Sequence, residues 1–360
     1  TPVTGELSAD ADCSSMQAYL DAARRQPSPI HTAMLAGSGT IRACAAGFSA
    51  PTLDAAQLRT VRSLIERELA AGALGVSLGL GYAPDCFYST ETLIEALRPL
   101  QDSGIPITVH MRQEGSGVVG ALQEMIAVAR ALRTPVEISH LKSIGKANWR
   151  SCTPEMLRLM AEARQEGVRI ACDVYPYTAG STQLVHVLPP ETQQGGMEAL
   201  TEHLADPAFR ETLKARMLTG SDFENISLLA GFENIVVSSV RLDGLRQYEG
   251  QSIAQIAEQQ GKDPFTCLFD LLQAAHCDVT MIDFIAAEDD ICDILRDAHS
   301  CVISDSTYPT TGMLHPRVYG TYTTLLEHFV REKQVLSLEA AVHKAVSYTH
   351  LRAHETVLDL

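Results

Sequence analysis

Positive charge is scarce in this 360-residue sequence. Lys and Arg number 28 against 44 Asp and Glu, a formal net charge of −16. That balance speaks against a nucleic-acid backbone as partner. No apolar run approaches the ~20 residues that cross a bilayer, so no membrane is expected. No secretory leader is read at the start, because Thr1 to Asp12 is polar and acidic. The nine cysteines (Cys13, Cys44, Cys86, Cys152, Cys172, Cys267, Cys277, Cys292, Cys301) are scattered and form no CxxC pair. An odd, dispersed set does not suit a disulfide framework, so reduced thiols and a cytoplasmic location are expected. Missing too are GxxxxGKS/T and HExxH. P-loop and zincin readings are left without support.

What is present is an ordinary globular composition, 46% hydrophobic and 20% charged, enough for one barrel-sized domain or two smaller ones. The informative stretch is Pro106 to Lys142. It reads PITVHMRQEG, then a helical run, then PVEISHLKSIG. Two β-rich runs, Ile107–Val109 and Val136–Ser139, each end at a histidine, His110 or His140. Between them Val118 to Leu132 is rich in Ala, Leu, Ile and Val. This is strand, helix, strand. A right-handed βαβ crossover makes the two strands parallel neighbours, with both histidines at one carboxyl edge. In an α/β barrel that edge holds the active site. Two converging imidazoles suit zinc, which takes nitrogen ligands and keeps a position open when catalytic.

The remaining elements follow in order. Met16 to Arg25 reads as a helix, and His31 to Thr40 as a strand with His31 at its start, the wrong end for a site, so that His31 reads as structural. Asp54 to Ala73 is a helix with Leu58, Val61, Leu64, Ile65 and Leu69 on one stripe. Gly72 to Tyr82 gives a strand and a glycine-rich turn, where Tyr82 is either a ligand contact or a rim residue. A helix is expected at Thr90–Asp102 and another at Pro154–Gln165. The strand Val168–Asp173 leads into VYPYTAGST, a hydroxyl-rich turn holding Tyr175 and Ser181. From 184 to 287 the rhythm loosens. Helices are expected at Met197–Arg216, Ser252–Gln260 and Pro264–Ala275, and strands at Ile235–Val240 and Val279–Ile285. This reads as an insertion capping the barrel mouth. Cys301–Ser306 is a last strand ending at Asp305, where a carboxylate beside two histidines is the expected third player. Thr321–Glu332 and Ser337–Lys344 close the pattern as helices.

GALGVSLGLGY, HMRQE, ISHLK, DVYPYTAGST, SDS and HPR occur in this order. Together they resemble the N-acyl-D-amino-acid deacylases (D-aminoacylases) of the amidohydrolase superfamily, along roughly Met16 to Val346. The resemblance implies a distorted (β/α)₈ TIM-type barrel with a zinc site at its carboxyl edge. It implies zinc-dependent hydrolysis of an N-acyl-D-amino acid, a small-molecule substrate, to a D-amino acid and a carboxylate. His110 and His140 match the family's zinc-binding histidines. Asp305 matches its strand-end aspartate, a general base that can also touch a metal. Tyr82, Lys142, Tyr175 and Ser181 match positions that hold the substrate, and Arg317 matches the HPR arginine.

The sequence also departs from that pattern. The family's first strands carry an HxH motif and a zinc-binding cysteine, and this sequence has no HxH. Cys13 lacks the family's glycine-flanked context. Ser38 stands where a histidine is frequent, and SDS replaces SDG. The end, SYTHLRAHETVLDL, does not continue the family pattern and reads as a non-native tail over 347–360. The expectation is therefore a partial barrel over 1–346, lacking its first strands and a small β-sandwich, with weak zinc binding and slow turnover. Two alternatives remain open. One is a cyclic amidase of the same superfamily, dihydroorotase- or hydantoinase-like, although Lys142 lies beyond ISH rather than on the earlier strand where those enzymes carry a carboxylated lysine. The other is an inactive barrel that binds small acids. No sequence feature points to an oligomeric state.

Overall fold

The computed structural model describes residues 14–25, 32–48, 50–307 and 312–347. Cys13, His31 and the tail from 348 onward lie outside the described residues. Nine strands are found among the described residues: β1 Ala36–Gly37, β2 Val76–Gly79, β3 Ile107–His110, β4 Val136–Ile138, β5 Ile170–Val174, β6 Ala179–Gln183, β7 Ile235–Val240, β8 Val279–Phe284 and β9 Ser300–Val302. Six of them form one sheet in the order β1-β2-β3-β4-β5-β9, and every pairing in it is parallel. Helices connect consecutive strands, so all carboxyl ends lie along one edge.

The side-chain period of two sorts these strands. Ile107, Val109, Val136, Ile138, Ile170, Cys172 and Val302 face outward and are at most 4% exposed. They pack under the helix Val118–Leu132, which buries Val118, Leu122, Met125, Ile126 and Leu132, and under Cys152–Gln165, which buries Met156 and Met160. Met125 is fully buried. Met125→Ala is therefore expected to cost about 2–5 kcal/mol. The check is the urea midpoint, and a loss under about 0.5 kcal/mol would contradict this packing.

A second layer is antiparallel. β8 lies between β6 and β7, with Gly180 opposite Asp283 and a bulge between Val237 and Ser239. Its core is its own: Leu184, Val187, Leu200, Met217, Ile235, Val237, Ile256, Leu268, Leu272, Val279 and Met281 form one buried cluster. Local signals start its helices. Ser252 and Gln255 make a capping box ahead of Ile253–Gln260, and Asp263 caps Pro264–Ala274 with proline in the first turn.

Several expectations shift, including the helix over 90–102, which ends at Ala96, and the strand over 301–306, which is Ser300–Val302. The strand over 31–40 shrinks to Ala36–Gly37, and Ser38–Ala46 is helical with Gly37 at its N-cap. The hydroxyl-rich turn after Tyr177 is a strand, β6, paired to a segment about a hundred residues away. The single helix over 197–216 is two, Gly196–His203 and Pro207–Thr219, because Pro207 opens a new first turn capped by Asp206. The helix over 321–332 begins earlier, at Arg317, and widens into a π-helix at Leu325–Glu332.

Candidate active site

Parallel register brings the paired histidines together. Val109 lies opposite Ile138, and Ser139 N–H donates to the Val109 carbonyl at 2.9 Å. His110 ends β3. His140 lies two residues past β4 with φ +41, and Asp305 lies three past β9 with φ +47. Left-handed backbone costs a non-glycine residue of order 1–3 kcal/mol and clusters at functional sites. His140 is held there by its own N–H, which donates to the Asp173 carboxylate, and by Leu141 N–H on the Asp173 carbonyl at 2.8 Å.

His110 Nδ1 lies 3.1 Å from His140 Nε2. Two zinc–nitrogen bonds of ~2.0–2.1 Å at a tetrahedral angle would separate such nitrogens by ~3.3–3.4 Å, so the pair fits zinc. Gly81 sets the His110 ring, since a Cβ there would meet Nε2 at 2.6 Å. The tight backbone behind the ring leaves Nδ1 facing His140. Burial pushes His110 down to about 3, so its imidazole is neutral at pH 7, the form a metal would need.

Behind His140 lies a carboxylate that sequence reasoning missed. Glu114 Oε1 is 3.0 Å from His140 Nδ1, and both Glu114 oxygens accept from Lys142 Nζ at 2.7 and 2.8 Å. Burial raises the Glu114 carboxyl, but the Lys142 ammonium and the imidazoles outweigh it and hold the group well below the usual carboxylate range. Lys142 Nζ also lies 2.8 Å from His140 Nδ1. An ammonium only donates, so without a metal His140 Nδ1 accepts and its Nε2 proton turns to His110. With Nε2 engaged by a metal, Nδ1 takes the proton and Glu114 accepts it, the carboxylate–histidine arrangement common at metal sites. His110, Glu114 and His140 form one candidate metal cluster, with ligand atoms within 4.8 Å of one another. The signal in sequence was the final residue of HMRQE, which falls in a loop where no periodicity marks it.

The other expected residues line the same cavity of about 320 Å³: Tyr82, Tyr175, Ser181, Asp305 and Arg317, beside Lys142. Tyr82 stacks on His110 at 4.3 Å between ring centroids, and its hydroxyl lies 3.4 Å from Thr182 Oγ1. Burial pushes the Tyr175 phenol up to about 12, so it stays a hydrogen-bond donor. Its ring lies under Arg317, 4.9 Å from guanidinium carbon to centroid. Arg317 Nη1 lies 2.8 Å from Asp305 Oδ2, and Nη2 donates to the Ser181 carbonyl at 3.0 Å. Asp305 thus lines the cavity, but its carboxylate is turned to Arg317 and lies outside the three-residue metal cluster. His315 is structural: its Nδ1 accepts from Arg317 N–H, and its Nε2 meets the Ala179 carbonyl.

The second layer adds residues that the sequence did not single out. His186 sits edge-on to Tyr82 at 4.2 Å, with its buried Nδ1 unpaired. Asp283 and Glu224 also line the cavity, and burial raises their carboxyls to about 6 and about 8. A second cluster, Glu137, Asp173 and Cys301, lies on the sheet's inner wall. Burial, then Glu137, pushes the Asp173 carboxyl well up, and its role here is to hold His140.

A parallel α/β sheet that gathers paired imidazoles, a buried lysine and acids at its carboxyl edge has the donor set and placement of a candidate metal site. No family model matches the chain. Among curated proteins it is 30% identical to a D-aminoacylase of Alcaligenes xylosoxydans xylosoxydans over 335 residues, 93% of this chain and 59% of that protein. It is 28% identical to an N-acyl-D-glutamate deacylase of the same organism, covering 91% of this chain and 57% of that one. Among solved structures, the N-acyl-D-glutamate deacylase of Bordetella bronchiseptica, complexed with zinc and a phosphonate inhibitor, aligns at TM-score 0.75 and 26% identity. That match covers 93% of this chain and 60% of the other. A D-aminoacylase structure aligns at TM-score 0.73 and 26% identity, over 97% and 65%. The resemblance to the N-acyl-D-amino-acid deacylases is thereby borne out. The chain spans about three fifths of the length of the curated relatives it matches.

Proposed function

We propose that this chain carries the catalytic wall of a zinc-dependent N-acyl-D-amino-acid deacylase, hydrolysing a linear amide to a D-amino acid and a carboxylate. The observation that supports this most is the His110–His140 nitrogen pair at 3.1 Å, inside the cavity that Arg317, Tyr175 and Asp305 also line. His110 and His140 would hold the zinc. When bound, zinc polarises an amide carbonyl and brings the pKa of a water from ~15.7 toward ~7.

The chain's own groups do the rest. Arg317 binds the substrate's α-carboxylate through its buried, unpaired Nε–H. The Tyr175 hydroxyl and the Lys142 ammonium donate toward the acyl oxygen, and Ser181 and Tyr82 bound the acyl end. Asp305 accepts the proton of the attacking water and returns it to the leaving nitrogen. Residues 184–287 serve as the cap that keeps bulk water from the cavity.

No helix among the described residues is long and apolar enough to cross a membrane. The eight described cysteines are all free. We place the protein in the cytoplasm on that thiol usage, acting on a small molecule and not on nucleic acid.

Among the described residues only two imidazoles and Glu114 converge, so zinc is held weakly. Elemental analysis after gel filtration should find well under one equivalent, and a stoichiometric ion would refute this. With added zinc, acetate release from N-acetyl-D-amino acids should exceed ring opening of cyclic amides and stop on chelation. Faster turnover of the cyclic amides, or none of either, would favour the alternatives.

A further inference from the structure

The cavity carries a charge inventory that the hydrolytic reading leaves unused. Three cations line it, Arg112, Lys142 and Arg317. Arg112 is spent on Glu124 and on the Cys86 and Tyr88 carbonyls. Lys142 is paired with both oxygens of Glu114, and in the deacylase reading its remaining donor goes to the acyl oxygen. Arg317 engages Asp305 and the Ser181 carbonyl, and its Nε–H is claimed by one substrate carboxylate. No unpaired lining cation remains among the described residues for a second carboxylate.

The opposite wall is acidic. Glu224 accepts only from the backbone, at Glu114 and Gly115. Asp283 is 3% exposed, and its Oδ1 has no hydrogen-bond partner. Gly180 on the facing strand lets that oxygen sit close to the backbone, since a Cβ would meet it at 2.7 Å. A buried carboxylate oxygen without a donor, lining a substrate cavity, calls for a donor from the ligand.

We propose that this cavity takes N-acyl-D-amino acids with neutral or cationic side chains and rejects those with a second carboxylate, and that Asp283 enforces the choice. This rests on the deacylase reading and separates this chain from the relatives named for acidic substrates. Beside the partnerless Asp283 carboxylate, an acidic side chain meets like charge and finds no free donor in a low-dielectric site, and discrimination of that kind is built by repulsion. A lysine-like side chain supplies the donor that Asp283 lacks.

The test measures kcat/KM of the zinc-loaded chain for N-acetyl-D-methionine, N-acetyl-D-lysine and N-acetyl-D-glutamate. The glutamate substrate is expected about tenfold or more below the other two. Parity, or a glutamate preference, overturns the proposal. Asp283→Asn is expected to narrow the gap by raising the glutamate value, and an unchanged gap removes Asp283 from the explanation. Asp283→Ser, which also removes the carboxylate, serves as the second variant should Asp283→Asn not fold. If none of the three is hydrolysed, the deacylase reading falls. Calorimetric binding of D-methionine, D-lysine and D-glutamate then reads selectivity alone. D-glutamate as the tightest of the three would overturn it.

Discussion

Replacing Asp305 with asparagine lowers turnover of an N-acetyl-D-amino acid by about 10²–10⁴-fold, the range that a positioned proton-transfer group contributes. Asparagine keeps the size of the side chain and its hydrogen bond to Arg317, but it cannot take a proton. The carboxylate is turned to Arg317 and stands apart from the cluster of His110, Glu114 and His140. Zinc content should therefore change little. Turnover and metal content are measured on the same preparation. Loss of the metal together with the activity would make Asp305 chiefly a ligand, and retained activity would remove it from the proton path.

The second large effect lies at Glu114. Glu114→Gln leaves the Lys142 ammonium buried, at 8% residue exposure, without its counter-charge. Breaking a buried pair from one side costs about 3–5 kcal/mol, because the remaining charge is uncompensated. Chemical denaturation at pH 7 should show this loss. The double variant Glu114→Gln with Lys142→Met should recover part of it, and a double variant as unstable as the sum of the singles would argue against direct coupling. The pH sense follows from the directions of the two shifts. Glu114 is held below its ordinary range, so its share of stability is present above the unfolded value near ~4.3 and is lost as pH falls through the folded one. Lys142 is lowered by burial but raised further by Glu114, so its share is present below ~10.4 and is lost as pH rises through the folded value. The pair therefore supports the fold across the neutral range. The same substitution replaces the charged acceptor behind His140 with a neutral amide oxygen and should weaken zinc affinity, up to the about 10–100-fold that loss of such partners brings.

The elements legible in the sequence are those whose information is local. Val118–Leu132 was read to the residue, because a mainly apolar run, interrupted at Gln123, Glu124 and Arg130, spans it between two proline-led strands. The histidines at the ends of β3 and just past β4 were legible for the same reason, since crossover geometry converts adjacency in sequence into adjacency along an edge. The strand β6 was not legible. Its hydroxyl-rich residues become a strand only by pairing with β8, about a hundred positions later. Ser38–Ala46 was hidden by the small residues of GSGT, which match a strand end as well as a helix start. Glu114 was hidden because its partners, His140 and Lys142, are reached through sheet register, and a loop residue has no period to betray it. Asp283 lay inside a strand correctly placed by its apolar pattern, but that pattern is silent on which side chain faces a cavity.

The two separate hydrophobic cores have an evolutionary consequence. The chemistry-bearing wall, with His110, His140 and Asp173, is anchored in one core, and Asp283 and His186 hang from a layer anchored in another. Drift in one therefore need not disturb packing in the other. A lineage can retune what it admits by remodelling residues 179–284 while inheriting the proton-handling side unchanged.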